Sequence, residues 1–300
     1  IGVPILNEEI FRNYVFPETH TYRSAELSAH ARTNLMRLSF NHNKLVSSIV
    51  PTMGAKGALS LLFQILNIRK AALLAPYWLG YQSLIELNDL PFCIIYETEA
   101  CQIASKMKSE NANALIICNP NNPTGGVWSN EELIELIARL QEFEGILLLD
   151  EVYKDLIFDN SNQFNDSIDA INLMRIGSVS KSMGIPGLRL GYIQTMNLEV
   201  TDALRIYIQH NYTSLPSFVE HFLENIDINQ KNKYLSYVLP LYENRMKTLQ
   251  RLFEIIGYNV WPYKAAFYLY LESKSSSNLF EELKEKFGIL SVSGIHYGHS

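Results

Sequence analysis

The chain has 300 residues, 47% of them apolar and 19% charged, the proportions of an ordinary globular protein. Its net charge of −6 argues against a nucleic-acid surface, which needs a concentrated basic patch, and no apolar run is long enough to span a bilayer. Three scattered cysteines, Cys93, Cys101 and Cys118, are too few for a disulfide framework or a zinc site and read as reduced, cytosolic thiols.

The length suits a large α/β domain, alone or with a smaller companion. The chain begins at Ile1 with no basic-then-apolar leader, so further residues upstream are expected. No internal repeat is present, and low complexity is confined to SKSSSN, Ser273 to Asn278.

In chain order, TMGAKGALSLLF (Thr52 to Phe63) opens a helix, and AALLAPYW (Ala71 to Trp78) reads as a strand running into a turn. NALIIC (Asn113 to Cys118) is a compact apolar run ending in the turn-rich NPNNPTGG. Ser129 and Glu132 then form a capping-box pattern, and Leu133, Ile134, Leu136, Ile137 and Leu140 follow helical spacing. ILLLD (Ile146 to Asp150) is again a continuous apolar run, as in a strand covered on both faces. Strand, helix, strand makes a βαβ unit and predicts a largely parallel sheet. In such sheets ligands collect beyond the carboxyl ends of the strands, where Trp78, Asn119 to Thr124 and Asp150 to Tyr153 fall.

Farther on, SVSKSMGIPGLRLGY (Ser178 to Tyr192) sets one lysine among small residues. The last third predicts an amphipathic helix entered or interrupted near Pro240, a strand over AAFYLYLE (Ala265 to Glu272), and a helix over NLFEELKEKF with Gly288 past its end.

Taken singly, the polar residues of these loops have ordinary explanations. Lys181 suits a solvated loop or a turn between strands, Asp150 a helix cap or structural ion pair, and Asn122 plain turn chemistry. Tyr153 and Trp78 suit a core or an interface, and Ser178 and Arg189 the surface. Together they match one requirement. A lysine that forms a Schiff base with an aldehyde cofactor needs an acid at the pyridine nitrogen and donors at the phenolate oxygen. The phosphate needs a serine, an arginine and a helix amino terminus.

The stretches NPNNPTGG, DEVY and SVSKSMGIPGLRLG, in this order, resemble the fold-type I pyridoxal 5'-phosphate enzymes of the class I/II aminotransferase family, the aspartate aminotransferase superfamily. The resemblance runs from about Tyr22 to the end. It implies an α/β fold, with a large domain of mostly parallel sheet between helices over residues 22–225. Residues 1–21 and 226–300 would form a smaller α/β domain, incomplete at both ends. It also implies that Lys181 is the Schiff-base lysine and proton carrier, and that Asp150 pairs with the pyridine nitrogen. Asn122 and Tyr153 would hydrogen-bond the phenolate oxygen, while Ser178, Arg189 and the backbone amides of Gly54, Ala55 and Lys56 would hold the phosphate. The G-x-x-G within Thr52 to Phe63 lacks the Gly-Lys-Ser/Thr ending of a nucleotide loop. Trp78 would stack on the ring, and Tyr22 would reach the phosphate of a neighbouring subunit, implying a homodimer.

The implied activity is amino transfer between an amino acid and a 2-oxo acid by a ping-pong mechanism, in the cytoplasm and without metal. Alternatives on the same scaffold are a β-eliminating C–S lyase, of which NPTGGVW is reminiscent, and an oxidative or cyclising enzyme. A non-catalytic aminotransferase-like regulatory domain is a further one. His296 and His299 read as surface residues. The family binds the substrate carboxylate with an arginine near the carboxyl terminus, whereas here no arginine follows Arg251. Gly2 resembles part of the early substrate-contacting segment, and the missing anchor is expected in residues beyond those given.

Overall fold

The computed structural model describes residues 24–40, 45–158, 166–273 and 278–298. Gly2, Tyr22 and His299 lie outside the described residues. Helix α1 (Ala29–Ser39) starts at Ser28, whose Oγ accepts from Ala31 N, as an N-cap serine does. Strand β1 (Ile49–Thr52) leads into α2 (Gly54–Ile65). Next come β2 (Ala71–Leu74), α3 (Gly80–Glu86), β3 (Phe92–Ile95), α4 (Ala100–Ser109) and β4 (Ala114–Cys118). Helix α5 (Asn130–Gln141) carries the expected capping box, Ser129 Oγ accepting from Glu132 N and Glu132 accepting from Ser129 N. Strand β5 (Ile146–Asp150), β6 (Leu173–Ser178), the single-turn α6 (Val179–Ser182) and β7 (Gly191–Gln194) complete the sheet region.

The seven strands lie in the order β1-β7-β6-β5-β4-β2-β3, with β7 antiparallel to both its neighbours and the other pairs parallel. The expected mostly parallel α/β sheet is therefore present. Side chains alternate across it, as the pleat requires. Ala114, Ile116 and Cys118 of β4, Leu148 of β5, and Met174 and Ile176 of β6 pack in one core cluster with α2 and Tyr81. Leu115, Ile117, Leu147, Leu149 and Leu173 pack in another with α4 and α5. Both faces are covered, which explains the unbroken apolar strands. By the same alternation Asp150 and Ser178 continue the face of Leu148 and Ile176. Asp150 also stands in register with Cys118 on one side and Ile176 on the other.

The remaining helices are α7 (Leu198–Tyr212), α8 (Ser217–Asn225), α9 (Ile228–Ile255) and α10 (Leu279–Phe287). A short second sheet pairs β8 (Asn259–Val260) with β9 (Leu271–Glu272). Gly288 ends α10 in the left-handed region, with φ 66°, as the sequence predicts. Two expectations are corrected. Helix α9 runs through Pro240 without interruption. Pro240 and Ser236 are both exposed, so the carbonyl deprived of its partner faces solvent, where water satisfies it. The strand over AAFYLYLE reduces to Leu271–Glu272 and one isolated bridge, Ile157 with Ala265. Ala266 adopts φ 64°, which breaks the extended conformation.

Candidate active site

A cavity of about 260 Å³ opens at the carboxyl ends of β4 and β5. Its lining includes Asn122, Asp150, Tyr153, Ser178, Lys181 and Arg189, which the sequence places up to 67 positions apart. Ala55, Lys56 and Trp78 close one side.

Asp150 is buried at the end of β5. Tyr81 Oη donates to its Oδ2 at 2.7 Å and Val152 N to its Oδ1 at 3.2 Å. Burial raises the carboxyl to about 6, and the two donors oppose that rise. Neither of these two contacts is a cation, so the carboxylate has no charge partner to offset its burial.

Lys181 stands on α6, whose N-cap is Ser178. Ser178 Oγ accepts from Ser180 N at 3.1 Å and donates at 2.8 Å. The small residues around the lysine build a single capped turn that projects Lys181 into the cavity. Its Nζ lies 5.9 Å from the Tyr153 ring centroid and 5.6 Å from that of Phe267. Burial lowers its pKa, favouring the neutral amine.

Asn122 Nδ2 donates to Tyr153 Oη at 3.5 Å. Tyr153 Oη also lies 2.6 Å from Tyr268 Oη. Burial pushes the Tyr153 phenol far up, so it stays protonated. Trp78 meets Tyr81 edge to face at 5.2 Å, and Lys56 Nζ lies 5.1 Å from its ring centroid.

The start of α2, Arg189 and the start of β7 crowd together. Gly54 has φ 74°, and a Cβ there would stand 2.5 Å from Arg189 Nη2. A Cβ on Gly191 would stand 2.5 Å from the Gly54 carbonyl carbon. Arg189, itself left-handed with φ 57°, donates from Nη1 to Pro186 O at 2.9 Å. Free N–H groups at a helix start beside a guanidinium form a ready anion cradle.

These residues fit pyridoxal phosphate. There is a buried acid for a pyridine nitrogen, an amide and a hydroxyl together, a cradle for a phosphate, and a lysine of lowered pKa. Sequence reasoning missed Tyr81, Ser180 and Tyr268, all of which line the cavity. Tyr81 follows Trp78 by three positions, a spacing that puts two side chains on one side of a helical turn. No local signal marks Tyr268, because the segment carrying it reads as a strand. Among the described residues no group of three His, Cys, Asp or Glu could hold a metal ion, and His296 is exposed.

Beneath the site lies a buried ionic group. Glu151 pairs with Arg175 and lies 3.7 Å from Lys154, which in turn pairs with Asp166 at 3.3 Å. Glu151 and Arg175 point away from the cavity, on the opposite face from Asp150, and tie the DEVY loop to β6.

The chain is 28% identical over 238 residues to an aspartate aminotransferase of Bacillus sp. (strain YM-2), an alignment covering 74% of this chain and 60% of that protein. It is 31% identical over 181 residues to a histidinol-phosphate aminotransferase of Thermoanaerobacter sp. (strain X514), covering 59% and 47% respectively. It thus spans about half to three fifths of these relatives' length. In fold it is similar to the aspartate aminotransferase of Thermus thermophilus with maleate, with a TM-score of 0.86 at 21% identity over 97% of this chain and 80% of that one. The model of the family described as aminotransferase class I and II matches residues 7–299. That match spans nearly the whole chain, and the chain therefore belongs to the class I and II aminotransferase family.

Proposed function

We propose that this protein is a pyridoxal-phosphate-dependent aminotransferase that exchanges an amino group between an amino acid and a 2-oxo acid in two half-reactions at one site. The observation that carries the reading is the single cavity lined by Lys181, Asp150, Asn122, Tyr153, Ser178 and Arg189. When bound, pyridoxal phosphate supplies a conjugated ring that accepts the electron pair released at the amino-bearing carbon.

The chain's own residues supply the rest. Asp150 keeps a proton at the ring nitrogen; a cationic partner there offsets the burial that now raises its pKa. Asn122 and Tyr153 donate toward the phenolate oxygen. Arg189, Ser178 and the N–H groups of Gly54, Ala55 and Lys56 hold the phosphate, and Trp78 covers the ring. Lys181 is the covalent anchor and carries the proton at Nζ, its neutral form favoured by burial.

The division into a large domain over 22–225 and a smaller one from 1–21 and 226–300 belongs to the same reading. So do a homodimer with Tyr22 reaching the neighbouring site and a cytoplasmic location. Among the described residues no helix is long and apolar enough to cross a membrane.

The test begins with pyridoxal phosphate added to wild type and to Lys181→Ala. Wild type should gain an absorbance band that borohydride removes, and the variant should not. Equal bands would remove Lys181 from its role. Amino donors are then screened, beginning with aspartate and histidinol phosphate after the named relatives. Pyridoxamine phosphate as product supports amino transfer, whereas pyruvate and ammonia would point to elimination.

A further inference from the structure

Successive side chains of a strand point to opposite faces, so Phe267 and Tyr268 would part if AAFYLYLE were extended. They do not. Their rings meet the Tyr153 ring edge-on, at centroid distances of 5.7 and 5.5 Å, and lie 4.8 Å from each other. The left-handed Ala266, φ 64°, brings both to the same side. A residue other than glycine, asparagine or aspartate is uncommon there, and such strain persists only where surrounding contacts over-determine it.

Those contacts come from the loops after β4 and β5. Lys264 N and Ala265 N both donate to Gly125 O, at 2.9 and 3.1 Å, and Ala266 N donates to Leu156 O at 2.9 Å. Gly125 has φ 71°, and a Cβ on it would stand 2.6 Å from Ala265 O. The loops that carry Asn122 and Tyr153 thus grip the segment that carries Tyr268.

A tyrosine hydroxyl holds one proton and accepts through its lone pairs. Tyr153 Oη accepts from Asn122 Nδ2 at 3.5 Å and faces Tyr268 Oη at 2.6 Å. If Tyr268 also donates, the only proton on Tyr153 is free to point into the cavity. We propose that Tyr268 is a positioning residue that donates to Tyr153 and so aims the Tyr153 hydroxyl at the phenolate oxygen of pyridoxal phosphate. The proposal rests on the cofactor reading above. The titratable groups facing this hydroxyl pair are Lys181, Asp150, Cys118 and, on the side of Tyr268, Tyr297. Burial pushes both phenols up, so neither ionises near neutral pH.

A donor to the deprotonated form of a group lowers its pKa. Loss of Tyr268 Oη weakens Tyr153 as a donor, so the pH midpoint of the bound cofactor's absorbance change should rise, by about half a unit or more. Wild type, Tyr268→Phe and Tyr270→Phe, each loaded with pyridoxal phosphate, are titrated by absorbance and melted without cofactor. The upward shift is expected in Tyr268→Phe alone, with melting temperatures within about 4 °C of wild type. Unshifted Tyr268→Phe, an equal shift in Tyr270→Phe, or failure of Tyr268→Phe to fold would each overturn the proposal. Failure of the cofactor reading looks different: wild type itself would then show no borohydride-sensitive band.

Discussion

Tyr81 donates its buried hydroxyl to Asp150 Oδ2 at 2.7 Å, joining the first turn of α3 to the end of β5 across 69 positions of sequence. Asp150 is the group on which the proposed cofactor site turns, and Tyr81 is its only side-chain donor among the bonds found for the described residues. Tyr81 also meets Trp78 edge-on, so one aromatic residue orients both the acid and the ring proposed to cover the cofactor.

Tyr81→Phe removes that donor and leaves Val152 N as the remaining one. The ionised carboxylate loses a bond worth about 1.5 kcal/mol, so pyridoxal phosphate should bind about tenfold more weakly. A fluorescence titration of cofactor binding reads this directly. Affinity equal to wild type would show that Tyr81 does not act on the bound acid.

Asp150 makes the cofactor-free protein less stable as pH rises. Its carboxyl titrates near 6 in the fold against 3.8 for the ordinary group, so between those values the native state holds a proton that the unfolded chain has lost. Stability therefore falls from about pH 4 to pH 6, and above that the full cost remains, on the order of 3 kcal/mol. Asp150→Asn should be more stable than wild type at pH 8, by about 1–3 kcal/mol, and the gain should fade toward pH 4. Urea unfolding of both proteins at several pH values measures it. The same variant should bind pyridoxal phosphate poorly, and a variant that was neither more stable nor weaker in binding would contradict both assignments.

Three glycines in and beside the proposed phosphate cradle should respond differently to alanine. Gly54→Ala meets a left-handed backbone and Arg189 Nη2 at 2.5 Å. It should cost about 1–2 kcal/mol and push the guanidinium aside, weakening cofactor binding. Gly191→Ala meets the backbone of Gly54 and Ala55 at 2.5–2.8 Å, which cannot swing away as a side chain can, so its loss should be larger. Gly187 has open space around it, and Gly187→Ala should stay within about 0.5 kcal/mol of wild type. Thermal unfolding ranks the three, and any other order would refute the packing argument.

Arg175→Met leaves Glu151 buried with Lys154 at 3.7 Å as the remaining cation shown beside it. Breaking one side of a buried ion pair costs about 3–5 kcal/mol. Burial already pushes Glu151 up against the pull of Arg175. Without Arg175 the glutamate takes a proton more readily in the fold, so the deficit should narrow as pH falls toward 5. A deficit that was constant with pH would mean that the uncompensated charge on Glu151 is not its cause.

Much of this protein was legible locally. Ser129 and Glu132 announce the start of α5, because a capping box is a contact between residues three apart. The apolar runs ending at Cys118 and Asp150 announce buried parallel strands, because both faces of such strands are covered. Lys181, Ser178 and Arg189 stand out through the resemblance of SVSKSMGIPGLRLG to the aminotransferase family, and they line one cavity. The sequence by itself therefore determined the fold class and most of the side chains around the cavity. Only the tertiary structure decided that Tyr81 meets Asp150 and that Tyr268 meets Tyr153, because those pairs are 69 and 115 positions apart and no local pattern encodes them. It also decided that AAFYLYLE is a strand only at Leu271–Glu272. The carbonyls of Gly125 and Leu156 take its N–H groups and hold Ala266 left-handed, and contacts from other loops thereby override the local preference for extension.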